Sequence, residues 1–186
     1  ETAFEVLAKA RALEVQGRNI VHLEIGEPDF DTPKHIREAA KEALDQGFTH
    51  YGPSPGLPQV RERIARDQRA RVGAEVSPSQ IVVTPGGKPI IFFSIMALVE
   101  EGDEVIYPNP GFPIYESMIR FMGGTPVPVQ LYEESGYNLD IDDLRRKAGS
   151  RTKLIIVNSP NNPSGAVVSR EEFERIHRLA SSRGIT

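Results

Sequence analysis

The stretch KLIIVNSPNNPSG, Lys153–Gly165, runs from an apolar tetrad into a turn built of two prolines, adjacent asparagines and a closing glycine. An apolar run of this length, bounded by turn residues, reads as a strand covered on both faces. SREEFERIHRLASSRG, Ser169–Gly184, follows with the spacing of a helix, and Ser169 and Glu172 form an S-x-x-E capping box at its start. Strand, constrained turn, helix is one unit of an α/β domain.

The same unit recurs upstream. QIVVTPGG, Gln80–Gly87, reads as a strand and glycine-rich turn. It precedes PIIFFSIMALV, Pro89–Val99, which reads as a helix buried on most sides. DEVIYPNPG, Asp103–Gly111, is a second strand and turn, and FPIYESMIRFMGG, Phe112–Gly124, is the helix after it. TPVPVQL, Thr125–Leu131, is a third strand, and DIDDLRRKAG, Asp140–Gly149, a short helix with Asp140 as N-cap. Nearer the start, VHLEIG, Val21–Gly26, alternates like a short strand. In DTPKHIREAAKEALDQG, Asp31–Gly47, Thr32 is the expected N-cap, Pro33 the first helical residue and Gly47 the stop. Ile36, Ala39, Ala40, Ala43 and Leu44 form its apolar stripe. HYGPSPGLPQ, His50–Gln59, is a rigid loop leading into a charged helix from Leu57 to Val72. The expected fold is α/β, a mainly parallel sheet sandwiched by helices.

Composition narrows the function classes. With 186 residues, 39% hydrophobic and 26% charged, the chain suits an ordinary globular domain or a large part of one. A net charge of -4 offers no basic face for nucleic acid. The absence of cysteine removes disulfides, thiolate catalysis and thiolate metal sites, and agrees with a reducing cytoplasm. The longest apolar run, Pro89–Val99, falls well short of the roughly 20 residues of a membrane span. The chain begins ETAFEV and stops at SSRGIT, after a helix and at the onset of a further strand, so a segment of a longer polypeptide is expected.

Open α/β sheets bind ligands beyond the carboxyl ends of their strands. Three expected strands end there in unusual turns: TPGGKP (Thr84–Pro89), PNPGF (Pro108–Phe112) and SPNNPSG (Ser159–Gly165). Two glycines before a helix start make an anion site, since backbone N–H groups and the helix dipole point the same way. A Walker A loop and a G-x-G-x-x-G fingerprint are both missing, which argues against nucleotide binding. Phe112 is placed either to cover a flat ligand or to fill the core. Asn161 and Asn162 either reach a ligand or satisfy their own loop.

Taken in order, HLEIGEPDFDTP, HYGPSPGLPQVRERIA, VTPGGKPIIF, YPNPGFPIYESMIRFMGG and LIIVNSPNNPSGAVVSREEFERI resemble the first half of a class I/II, aspartate aminotransferase-like enzyme. Such enzymes use pyridoxal 5'-phosphate on fold type I, and the resemblance covers nearly the whole chain. It implies residues 1–32 as an N-terminal segment and arm, and 33–186 as the N-terminal part of the large cofactor domain. It implies that Gly86, Gly87 and Lys88 hold the cofactor phosphate, that Phe112 stacks on the pyridine ring, and that Asn162 hydrogen-bonds the phenolic oxygen. Many relatives carry tryptophan at the Phe112 position. Gly26 matches the residue whose backbone meets the substrate carboxylate, and Tyr51 a tyrosine that reaches the phosphate of the neighbouring subunit in a homodimer. A cis Asn162–Pro163 bond is implied as well.

The implied reaction is amino-group transfer between an amino acid and a 2-oxo acid in a cytoplasmic enzyme, with no metal, nucleic acid or membrane as partner. Every matched residue holds or tunes the cofactor. The Schiff-base lysine of the resemblance lies beyond Thr186, so no catalytic residue is assigned and the 186 residues alone are expected to be inactive. His22, His35, His50 and His177 match no catalytic position. A lyase on the same fold, and the ligand-sensing domain of a transcription regulator, are the alternative readings.

Overall fold

A computed structural model describes residues 2–186. The chain divides into two compact units, Glu1–Gly52 and Pro53–Thr186.

In the first unit, α1 (Thr2–Val15) precedes an extended segment and α2 (Lys34–Asp45). The expected strand at Val21–Gly26 does not form: the segment is irregular, and no described strand pairs with it. Alternation marks an extended backbone, but a strand also needs a neighbour for its N–H and C=O groups. Helix α2 starts one residue later than expected. Pro33, not Thr32, is its N-cap, and no side chain caps it. Gly47, in the left-handed region at φ 81, follows its end. Ile36 and Leu44 of its apolar stripe are exposed.

His22 ties the extended segment to α1. Its Nδ1 lies 2.7 Å from the Glu24 carboxylate and its Nε2 2.9 Å from that of Glu14. The hydrogen bonds to Glu24 and then Glu14 raise the His22 pKa above its ordinary 6.5, and the bond from His22 lowers that of Glu24 below 4.5. A raised histidine adds stability that is fully present below pH 6.5 and is lost as pH rises through the folded value. A lowered glutamate adds stability that is present above pH 4.5 and is lost as pH falls through its folded value. The clasp is therefore complete between those limits. An NMR titration should place the His22 imidazole above 6.5 and return it towards 6.5 in Glu24→Gln. Titration at or below 6.5 in the unsubstituted protein would contradict the clasp.

The second unit opens with α3 (Pro58–Val72), which ends at Gly73 in the left-handed region. Then come α4 (Lys88–Leu98), β1 (Glu104–Asn109), α5 (Ile114–Phe121), β2 (Thr125–Gln130), α6 (Ile141–Lys147), β3 (Thr152–Ile155) and α7 (Arg170–Arg183). The strands form a parallel sheet in the order β2-β1-β3. Ile81–Thr84, expected as a strand, is not one; its Val83 N–H donates to the Pro55 carbonyl at 3.0 Å instead. Pairing continues past β3, where the Ile156 N–H donates to Ile106, and Thr186 exchanges bonds with Lys153 and Ile155.

Side-chain alternation along the strands builds two cores. Val105 and Tyr107 of β1 pack with Ile95 of α4 and with Tyr115, Met118 and Ile119 of α5. Ile106, between them in sequence, packs with Val129, with Ile141 and Leu144 of α6, and with Ile176 of α7. Leu154 and Ile156 join the first core, Ile155 and Val157 the second. This explains why LIIV carries no polar residue: both faces are covered. Each buried Val, Leu or Ile contributes about 1.5–3 kcal/mol. The topology accounts for the sides taken by the helices. The chain steps from β1 to β2 in one direction, then back past β1 to β3 in the other. A constant right-handed crossover puts α5 and α6 on opposite faces, as the two cores require.

Local signals hold where side chains close helix ends. Asp140 accepts from the N–H groups of Asp142 and Asp143 at 2.9 Å. Ser169 and Glu172 complete the capping box, at 2.7 and 3.2 Å. Helix α4 departs from expectation: only one face is buried, through Ile95, while Ile90, Phe93 and Met96 are exposed. The expectation was burial on most sides, and the described residues cover one.

Candidate functional site

Two of the unusual turns leave the carboxyl ends of neighbouring parallel strands. PNPGF takes in the last two residues of β1, Pro108 and Asn109, and the turn after it, and SPNNPSG follows β3 after Ile156, Val157 and Asn158. The third, TPGGKP, leads into α4, which packs on β1. The bonds Asn109–Pro110, Ser159–Pro160 and Asn162–Pro163 are cis, the last as the resemblance implies.

The glycine-rich turn is closed by Thr84, whose hydroxyl donates to the Gly86 carbonyl at 2.7 Å while the Gly86 N–H donates to the Thr84 carbonyl at 2.9 Å. Gly86 sits at φ +99, where other residues are strained. A Cβ built on Gly86 or Gly87 meets nothing within 4 Å, so open space lies over this backbone. Gly87 is the N-cap of α4 and offers no side-chain cap, which leaves the positive end of the helix dipole facing outward.

Lys88 Nζ lies 5.9 Å from the centroid of the Phe112 ring, bringing the glycine-rich turn to the PNPGF turn. Phe112 packs edge-on against Tyr115 at 6.1 Å and is half-buried, so one side is held and part of the ring remains open. Gly111 makes the tight approach possible: a Cβ there would stand 2.2 Å from the Pro108 carbonyl oxygen. Beneath the turn, the Tyr107 hydroxyl donates to Glu116 at 3.1 Å, and burial, then that bond, pushes its pKa up to about 12. It therefore stays a neutral donor at any physiological pH.

The SPNNPSG loop joins the same end of the sheet through Asn161. This residue is buried, and its amide Nδ2 donates to the Ser164 hydroxyl at 2.9 Å and, at a longer 3.4 Å, to the Pro110 carbonyl. Asn162 is exposed and its side chain makes no hydrogen bond with a described residue. The sequence singled out Asn162 of the pair, and only the structure shows that Asn161 links two loops. Nothing in the adjacent asparagines marks which one turns inward. Gly26 and Tyr51 belong to the first unit, and both are exposed. The structure thus gathers Gly86, Gly87, Lys88, Phe112 and the Asn162 loop, and leaves Gly26 and Tyr51 in a unit of their own. Among the described residues no group of His, Cys, Asp or Glu is arranged to hold a metal ion. No helix among them is long and apolar enough to cross a membrane.

Residues 18–186 match the family model for aminotransferase class I and II. The chain is 45% identical over 180 residues to a probable aspartate/prephenate aminotransferase of Aquifex aeolicus, covering 97% of this chain and 46% of that protein. It is 46% identical over 175 residues to the aspartate/prephenate aminotransferase of Thermus thermophilus, covering 94% and 46%. The solved aspartate aminotransferase from Thermus thermophilus with maleate superposes with a TM-score of 0.93 at 44% identity, over 100% of this chain and 48% of that one. Alanine aminotransferase from Pyrococcus furiosus gives 0.93 at 36% identity, over 98% and 47%. The chain therefore spans about half the length of the relatives it matches, and its fold and sequence together make it a member of the class I and II aminotransferase family.

Proposed function

We propose that this chain forms the cofactor-holding half of a pyridoxal-phosphate-dependent enzyme that moves an amino group between an amino acid and a 2-oxo acid. The observation that carries the reading is the convergence of three turns, Lys88 over Phe112 and the Asn162 loop bound to the PNPGF turn. The geometry fits the cofactor. Gly86, Gly87 and Lys88 hold its phosphate, with open space above two glycines and a helix N-terminus for an anion. Phe112 covers the ring, and Asn162 donates to the phenolic oxygen. When bound, pyridoxal phosphate supplies the electron sink that lets an α-proton leave an amino acid. The chain's own residues bind, orient and tune that group.

Residues 33–186 are assigned to the large cofactor domain and 1–32 to the arm, with the Gly26 backbone receiving a substrate carboxylate. Tyr51, fully exposed, suits a residue that reaches the phosphate of a second subunit in a cytoplasmic homodimer. Aspartate is the first donor to test, because it appears in the names of both curated relatives above.

The complete protein should bind pyridoxal phosphate, shifting its absorption band. It should also carry the amino group of aspartate to 2-oxoglutarate without releasing ammonia. Ammonia release would make it a lyase, and cofactor binding without turnover of any amino acid would make it a sensor. The 186-residue chain alone is expected to show no turnover.

A further inference from the structure

Asn161 has three properties that a residue satisfying only its own turn would not combine. The residue is 7% exposed, in a loop where its neighbour Asn162 is exposed. Its Nδ2 faces two acceptors on separate segments, the Ser164 hydroxyl within its own loop and the Pro110 carbonyl in the loop that carries Phe112. A carbonyl oxygen only accepts, so the amide is oriented with Nδ2 towards Pro110. That orientation leaves Oδ1 buried with no hydrogen-bond partner among the described residues. Buried polar atoms are nearly always paired, and an apolar residue would have avoided the loss. Its main chain is engaged too: the Asn161 N–H donates to Ala166 at 2.8 Å and its carbonyl accepts from Gly165 at 2.7 Å. With its main chain held inside the loop, the side chain is the part of Asn161 that reaches across to the neighbouring loop.

We propose that Asn161 is a positioning residue whose buried amide locks the SPNNPSG loop to the PNPGF turn, so that Asn162 and Phe112 meet the cofactor as one preformed unit. The proposal rests on the functional reading above for its ligand, but the lock is a property of the protein alone. Two loops held by separate strands would otherwise drift independently, and small misplacements of ligand-facing groups are costly in a site that works by orientation.

The test has one arm without cofactor and one with it, in the complete protein. In the apoprotein, Asn161→Ala should raise amide exchange about tenfold in both loops. The reporters are Gly165 N–H, which donates to Asn161, and Tyr115 N–H, which donates to Phe112. Faster exchange at Gly165 alone would show that the amide serves only its own turn, and would overturn the lock. In the cofactor arm, Asn161→Ala should weaken pyridoxal phosphate binding about tenfold. It should also move the pH titration of the bound cofactor's absorption in the same direction as Asn162→Ala. Added to Asn162→Ala, it should move that titration no further, because it acts through Asn162. Asn161→Asp, which keeps the size and replaces the donor with an acceptor, should reproduce the alanine variant. Lower thermal stability with unchanged cofactor affinity and titration would leave Asn161 a structural residue. Failure of the unsubstituted protein to bind pyridoxal phosphate would refute the functional reading instead, with the exchange arm still deciding the lock.

Discussion

Ile106→Ala should lower the stability of the fold by about 2–5 kcal/mol, the range for emptying a well-packed isoleucine site. Ile106 is 1% exposed on the central strand and touches the core shared by β2, α6 and α7. Both flanking strands pair with β1, so the site cannot collapse without moving a ladder on either side. Against a total of about 5–15 kcal/mol for a typical domain, the loss is a large fraction. With a urea slope of about 2 kcal/mol/M, the unfolding midpoint should fall by about 1–2.5 M. Val82→Ala is the matched control, since Val82 is 64% exposed in a segment that joins no strand; its effect should stay within about 0.5 kcal/mol. Equal shifts for the two variants would place the core elsewhere.

The sequence was most informative where one residue's chemistry acts on its immediate neighbours. Asp140 and the Ser169–Glu172 box were legible because a capping side chain bonds N–H groups two or three residues away. LIIV was legible because covering both faces leaves no polar position. Val21–Gly26 and Ile81–Thr84 were misread for one reason: whether an apolar segment becomes a strand depends on a partner remote in sequence. Helix α1 carries a weak sequence signal because two of the four residues it turns inward, Ala3, Leu7, Ala10 and Leu13, are small alanines, while the larger Phe4, Val6 and Val15 are exposed. At the proposed site, turn chemistry and the family pattern point to the glycines and Phe112. They do not point to the Asn161 link, because Pro110 lies fifty-one positions away in sequence.

Asn162→Ala should leave the fold nearly unchanged and impair function. Asn162 is exposed and bonds no described residue, so its truncation removes no packing, and the unfolding midpoint should stay within experimental error. Towards a bound cofactor its amide would donate to the phenolic oxygen. A hydrogen bond to a charged acceptor is worth about 1.5–3 kcal/mol, which corresponds to about 10–100-fold in kcat/KM. The sign of the spectroscopic effect follows from the same bond. A donor favours the deprotonated oxygen, so its loss raises the pKa there, and the absorption titration of the bound cofactor should move to higher pH. Asn162→Asp should move it further, because the new carboxylate also repels the negative oxygen. The combination separates a tuning group from a turn residue. A turn residue would lower the unfolding midpoint and leave the titration in place, whereas a tuning residue moves the titration and leaves the midpoint. A kcat/KM within twofold of the unsubstituted protein, with an unshifted titration, would reduce SPNNPSG to the over-constrained turn that its prolines make it on their own.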